Sequence, residues 1–346
     1  MCTVPYLLLL TDKGAAMPSF CTSRHASFIG AVVMTAAFLA GVPAVAQESY
    51  PVKPVRLVIP FGSGGITDVV GRLIGQRLGE ELKQTVIVEN KPGAGGSIAA
   101  QAVAQAAPDG YTLLLGTVGT QVVNQMLYSR IPYDPSAFTP ISLVSNSPFM
   151  MAIRPIPGVT DVQSLIAYAK ANPDKLNFGS AGNGSSPHLG IELFKLATQT
   201  RIVHVPFKSG AEAVNAALSD QVQIVIDAIP VIYPQVKAGR LQAIAIAAQK
   251  RSNAIPDLKT SGEQGLPSFQ IGSWNCLVAP ANTPKDRIAI LNAALAKVYA
   301  RPDMASRLTE MGIESMSLGV APYEEHIKIE REKWSGVIKA AGTRLD

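Results

Sequence analysis

Short runs of Val, Ile and Leu recur along this chain, each separated from the next by a glycine-containing turn and a segment of helical periodicity. No other feature restricts the fold as much. Val55 to Pro60, Thr85 to Glu89 and Tyr111 to Gly116 read as strands, and Thr67 to Leu82, Ser97 to Ala107 and Thr120 to Leu127 as helices. Continuous apolar runs, rather than alternating ones, indicate strands covered on both faces, as in a parallel sheet flanked by helices. A second cycle follows, with strands at Phe149 to Ile153, Asn177 to Gly179, Arg201 to Val205, Val222 to Asp227 and Leu241 to Ala247. Its helices are Val162 to Asn172, Pro187 to Thr198, Gly210 to Leu218 and Tyr233 to Ala238. The polar stretch Ala254 to Gly272 reads as a crossing back, ahead of a strand at Ser273 to Ala279 and helices at Pro284 to Tyr299 and Pro322 to Ala341. The expectation is an α/β protein of two doubly wound lobes, the first discontinuous (47–147 and 271–346) and the second covering 148–270. Open α/β sheets take ligands outside the carboxyl ends of their strands, so two facing lobes would enclose a cleft.

Residues 1–46 read as an export leader and not as fold. Arg24 and His25 precede the apolar run Phe28 to Ala40, and Ala44-Val45-Ala46 supplies an A-x-A cleavage site. The run contains Gly30 and falls short of the roughly 20 apolar residues that a membrane span needs. Leu7 to Leu10 lies outside that layout, which makes Met17 a second candidate start. The expected location is the periplasm. Cys2 and Cys21 leave with the leader, so Cys276 is the single remaining cysteine and no intramolecular disulfide forms. Its apolar surroundings, Trp274 to Ala279, suggest a buried, inert thiol.

The net charge is +5, and the basic residues are spread without a run of five or more. That distribution argues against a nucleic-acid partner or a polybasic membrane patch.

Three loops carry the candidate chemistry. Phe61-Gly62-Ser63-Gly64-Gly65-Ile66-Thr67-Asp68 joins a strand to a helix, where close-approaching glycine backbone and free helix N–H groups make an anion site. The same residues serve equally as a tight turn with Thr67 or Asp68 as helix cap. Gly116 to Thr120 brings two hydroxyls, Thr117 and Thr120, to neighbouring strand ends. In the second lobe, Ser180, Ala181, Gly182, Ser185 and Ser186 offer neutral donors and little bulk before a helix. Asp227 ends an apolar strand, either facing a ligand or capping the residues after it. Asn90 to Ser97 reads as a turn.

Catalytic and cofactor signatures are missing from the sequence. Neither the Gly62 nor the Gly93 loop completes G-x-G-x-x-G, and no Lys follows in the P-loop position. Ser185 and His188 lie three apart on one element without a third orienting group, which does not make a nucleophile and base. His188 is better read as structural. His188, His204 and His326 lack metal-ligand spacing. The expectation is a protein that is not an enzyme and uses no cofactor or metal. A ligand sensor passing occupancy to a signalling partner, and a hydrolase on the same fold, are the alternatives.

Taken in order, these segments resemble the Bug family, the TctC-type periplasmic receptors of tripartite tricarboxylate transporters. The resemblance rests on Ile59 to Asp68, Val88 to Gly96, Pro108 to Leu113, Ser180 to Leu189, His204 to Lys208 and Ala279 to Pro284. It implies a two-lobed Venus-flytrap fold of the periplasmic-binding-protein type. It also implies a small carboxylate ligand held between the Phe61 and Ser180 loops by backbone N–H groups, hydroxyls and waters. The partners implied are the two membrane subunits of the transporter, with the receptor itself a monomer. Where the family usually has Pro-Pro or Ala-Pro before its glycine pair, this chain has Gly62-Ser63. That departure predicts a looser loop, with a hydroxyl beside the ligand.

Overall fold

The structure is a computed structural model and describes residues 50–316, 318–341 and 344, so the leader 1–46 lies outside the described residues. Ten strands are formed among them: β1 (Val55–Ile59), β2 (Val86–Asn90), β3 (Thr112–Thr117), β4 (Phe138–Ile153), β5 (Asn177–Ser180), β6 (Val203–Pro206), β7 (Ile224–Ala228), β8 (Gln242–Ile246), β9 (Gly272–Pro280) and β10 (Glu314–Ser315). The helices between and after them are α1 (Ile66–Leu82), α2 (Ser97–Ala104), α3 (Asn124–Leu127), α4 (Val162–Ala171), α5 (Ser186–Thr198), α6 (Gly210–Leu218), α7 (Ile229–Lys237), α8 (Lys285–Tyr299), α9 (Pro302–Glu310) and α10 (Val320–Ala341). Helix α1 shows why these segments are helical. Ile66, Val70, Ile74 and Leu78 recur every fourth residue and are buried on one stripe, and the helix ends where Lys83 turns left-handed and donates its N–H to Gly79 O.

The strands run β2-β1-β3-β9-β4-β7-β5-β6, with β8 and β10 both paired to β4. The pairs β1–β2, β1–β3, β5–β6 and β5–β7 are parallel, as the apolar runs predict. The centre differs. β9 is antiparallel to both β3 and β4, and β4 is antiparallel to β7 and β8. The sheet is therefore mixed.

Strand β4 is the element that the sequence pattern conceals. Only Phe149 to Ile153 reads as a strand, because Pro140, Pro148 and four serine or asparagine residues interrupt the apolar run before it. The strand in fact covers 16 residues. It tolerates Pro140 beside a register shift. Ser142 Oγ finds partners inside the protein, donating to Leu143 O and accepting from Gly319 N–H, whereas Ser147 Oγ is buried without a protein partner. Helix α9 was likewise not anticipated; Pro302 opens it, and Met304 and Leu308 bury its inner face.

Strand β4 also joins the two lobes. Up to Pro148 it pairs with β9, and from Phe149 onward with β7 and β8. The change of partner is held by Phe149 N–H to Ile271 O (3.1 Å), Ile271 N–H to Ala247 O (2.9 Å) and Ala247 N–H to Phe149 O (2.8 Å). Beyond that point the pleat sends Phe149, Met151 and Ile153 into the main core and Met150 and Ala152 into a smaller one beneath α6 and α7. No helix among the described residues is long and apolar enough to cross a membrane.

Candidate functional site

Helices α1, α5 and α6 begin around one small cavity. Its walls are Phe61, Gly65, Ile66 and Thr67 from the first lobe, Ala181, Ser185, Ser186, Pro187, Gly210 and Asp227 from the second, and Ser273 from β9. Each helix start follows from its local sequence. Gly65, which opens α1, has no side chain and leaves the first-turn N–H groups uncapped. Ser185 opens α5 and accepts from His188 N–H, with Pro187 in the first turn. Ser209 opens α6 and accepts from Glu212 N–H at 3.2 Å. The partial positive ends of three helices thus meet where no basic side chain lines the wall.

The enclosed volume is about 20 Å³, space for a water but not for a dicarboxylate. The lobes are in contact around it. Gly62 N–H donates to Lys208 O at 2.9 Å. A Cβ on Gly95, which has φ +60°, would lie 2.6 Å from Asn183 O. Glycine at that position permits both the left-handed backbone and the close approach. Outside Phe61 and Ala181, a groove of about 390 Å³ runs between Pro92 to Gly95 and Gly182, Asn183 and Pro206 to Lys208.

Of the residues singled out from sequence, Phe61, Gly65, Thr67, Ala181, Ser185, Ser186 and Asp227 stand in the cavity wall, and Gly182 lines the outer groove. The remaining candidates do not line the cavity. Ser63 and Gly64 are exposed, and Ser63 Oγ bonds Asn90 Oδ1 at 3.3 Å, so its hydroxyl points away from the cavity. Gly62 is taken up by its bond to Lys208. Asp68 braces its own loop, accepting from Gly64 N–H (3.0 Å), Arg72 Nε (3.0 Å) and Asn90 Nδ2 (2.9 Å). Burial by itself would raise the Asp68 carboxyl, but these donors outweigh it and hold the group below the usual carboxylate range. Thr120 Oγ1 closes the turn after β3 by accepting from Thr117 N–H, and Thr117 Oγ1 is buried without a protein partner. Ser180 Oγ pairs with His204 Nε2 at 2.6 Å.

Ile66, Pro187, Gly210 and Ser273 are cavity residues that the sequence reading did not select. For Gly210 a signal existed: it opens a helix directly after Ser209, like the other two loops. Ser273 had none, since its position depends on how β9 returns beside β4.

Ser185 and His188 do not form a nucleophile and base. Ser185 Oγ donates to Gly182 O at 2.6 Å, and the His188 ring accepts Gly184 N–H through Nδ1 at 3.1 Å. His188 stacks on His204 at 4.3 Å between ring centres. Burial drives the pKa of both imidazoles down, that of His204 to about 3, and each ring's proximity to Lys195 acts in the same direction. Both are neutral supports of the Ser180 to Ser186 loop. Among the described residues no group of His, Cys, Asp and Glu could hold a metal ion. Cys276 is buried, and its thiol is pushed up by desolvation.

Asp227 closes β7 opposite Met150 of β4. It is buried, and its one hydrogen bond is from the adjacent Ala228 N–H at 2.7 Å.

Comparison with known proteins fits this geometry. Residues 70–343 match the model of the tripartite tricarboxylate transporter family receptor, TctC. Among solved structures, an adipate-bound protein from R. palustris is 35% identical with a TM-score of 0.81, over 86% of this chain and 100% of that one. The periplasmic binding protein BugD is 33% identical with a TM-score of 0.81, over the same shares. MatC from Rhodopseudomonas palustris, with bound malate, is 34% identical with a TM-score of 0.79, over 84% of this chain and 100% of that one. With its two α/β lobes closed on a cavity of helix N-termini, this chain belongs to the Bug or TctC family of periplasmic solute-binding receptors.

Proposed function

We propose that this protein is a periplasmic receptor that captures a small carboxylate between its lobes and delivers it to the membrane subunits of a tripartite transporter, as a monomer and without catalysing a reaction. The observation that carries the reading is the convergence of three helix N-termini on one cavity whose wall includes Thr67, Ser186 and Ser273 and no basic side chain. Such a wall recognises an anion through neutral, oriented donors. Two related structures hold adipate and malate, which are both carboxylates.

A cavity of about 20 Å³ requires the lobes to part before a ligand enters. The proposed hinge lies at Pro148–Phe149 and Ile271–Gly272, where β4 changes partners, within one residue of the lobe boundaries expected at 147/148 and 270/271. Ligand then acts by favouring the closed state.

A thermal-shift screen of mono-, di- and tricarboxylates tests the reading, because a ligand that binds only the folded protein raises its melting temperature. At least one acid should stabilise the protein in a concentration-dependent way. Stabilisation by a sugar or a metal ion but by no acid would refute it. Recovery of the protein in the cytoplasm with residues 1–46 intact would refute the periplasmic assignment.

A further inference from the structure

Asp227 is the one cavity group that conflicts with an anionic ligand. Its carboxyl is buried at 3% exposure, lines the cavity, and has the single Ala228 N–H as hydrogen-bond partner. A carboxylate so poorly served is unusual in a protein interior. The conflict could be relieved by a nearby cation, but among the described residues none is positioned for it. On α1, Arg72 is paired with Asp68. On α5, the His188 ring accepts the Gly184 N–H and is neutral. Beyond it on β6, His204 is neutral as well. Before α6, the Lys208 N–H bonds Glu212 and its side chain is exposed. Lys237 stands in the last turn of α7, away from that helix's start beside Asp227. Strands β4 and β9 bring Met150 and Ser273, which carry no charge.

We propose that Asp227 makes capture proton-linked: a carboxylate ligand is captured between the lobes together with a proton on Asp227, which then donates a hydrogen bond where an ionised carboxylate would repel. The proposal rests on the carboxylate reading above. Two carboxyl groups confined side by side between the lobes disfavour each other's ionisation, and the buried one lacking donors takes up the proton from solvent. On opening, the proton returns to solvent as water reaches Asp227. Desolvation already raises the carboxyl, tempered by the Ala228 N–H, to about 7, so the proton is available under ordinary conditions. The consequence is a receptor whose affinity rises as its surroundings acidify.

Calorimetric titration of the purified protein with a panel of mono- and dicarboxylates that includes malate and adipate tests this. The range is about pH 6.5 to about pH 8.5, above the ordinary carboxylate range, so that ligand protonation contributes little. Affinity should fall with rising pH, approaching about tenfold per unit, the limit for one linked proton. Heats in buffers of different ionisation enthalpy should report net uptake approaching one proton per ligand. Asp227→Asn should bind the same acid with neither the slope nor the uptake. Wild-type binding that is independent of pH and takes up no proton overturns the proposal, whether or not the variant folds. So does a slope that survives in a folded Asp227→Asn, or a folded variant that binds nothing, since the latter means that the ionised carboxylate is what the ligand needs. If no acid binds the wild type at any pH, the carboxylate reading itself fails.

Discussion

The Asp227 carboxylate occupies the space beside Gly210 that a side chain would need. A Cβ on Gly210 would overlap Asp227 Oδ2 and stand 2.8 Å from Cγ. The start of α6 and the end of β7 therefore meet on a missing side chain, and the cavity wall depends on that contact. Gly210→Ala should force Asp227 or α6 to move, destabilising the protein by about 1–3 kcal/mol, as overpacking commonly does. Urea denaturation checks this, and unchanged stability would show that the contact is easily relaxed.

The closeness of the lobes predicts a second variant. A Cβ on Gly119 would stand 2.8 Å from Gly184 O, a backbone atom on the other side of the cleft. Gly119→Ala should hinder closure and weaken carboxylate binding by roughly tenfold, about 1.4 kcal/mol. The melting temperature without ligand should change little, because closure and not the core is affected. Calorimetric titration beside thermal melts separates these effects.

The stacked pair His188 and His204 predicts acid sensitivity. Burial lowers both from the ordinary value of 6.5, and His204 reaches about 3. Above about pH 6.5 both states of the chain hold neutral rings, and the full stability is present. As pH falls below that value the unfolded chain takes up protons that the folded one refuses. Stability should then fall by up to about 1.4 kcal/mol per pH unit for each imidazole, down towards pH 3 for His204. Asp227, raised to about 7, has the opposite sign: its contribution is full below the usual carboxylate range and is lost as pH rises through 7. Denaturation curves at about pH 7 and about pH 5 should differ less in His204→Asn than in the wild type.

Both tryptophans of the chain, Trp274 and Trp334, donate Nε1 to the same Glu330 oxygen, at 2.8 and 2.9 Å. Glu330→Ala leaves two buried indole N–H groups without an acceptor and should cost about 2–4 kcal/mol. Glu330→Gln retains an acceptor oxygen and should cost less. Because both fluorophores are involved, intrinsic fluorescence should shift in the folded variant as well as on unfolding.

Much of this was legible before any coordinates. The alternation of apolar runs and helical segments gave the parallel pairs β1–β2, β1–β3 and β5–β6 close to their observed limits. Such signals are local: each strand carries its own apolar run and each helix its own period. Strand β4 broke the rule because the partners of its buried Ser142 and Ser145, Gly319 and Asn275, are distant in sequence. The site divided in the same way. A structural His188 follows from neighbours within a few residues. The contact of Ser63 with Asn90, 27 residues away, is not readable from its neighbours.

The sequence by itself determined the elements other than β4 and α9, the glycine-rich helix starts and the family, because these are properties of contiguous residues: periodicity, turn chemistry and ordered motifs. Only the tertiary structure decided which side of each loop faces inward, that Gly210 and Ser273 complete the wall, and that Asp227 stands there without a counter-charge. Those outcomes arise where segments far apart in the chain are brought together and water is excluded, and the energy of a buried carboxyl depends on its surroundings more than on its neighbours in sequence.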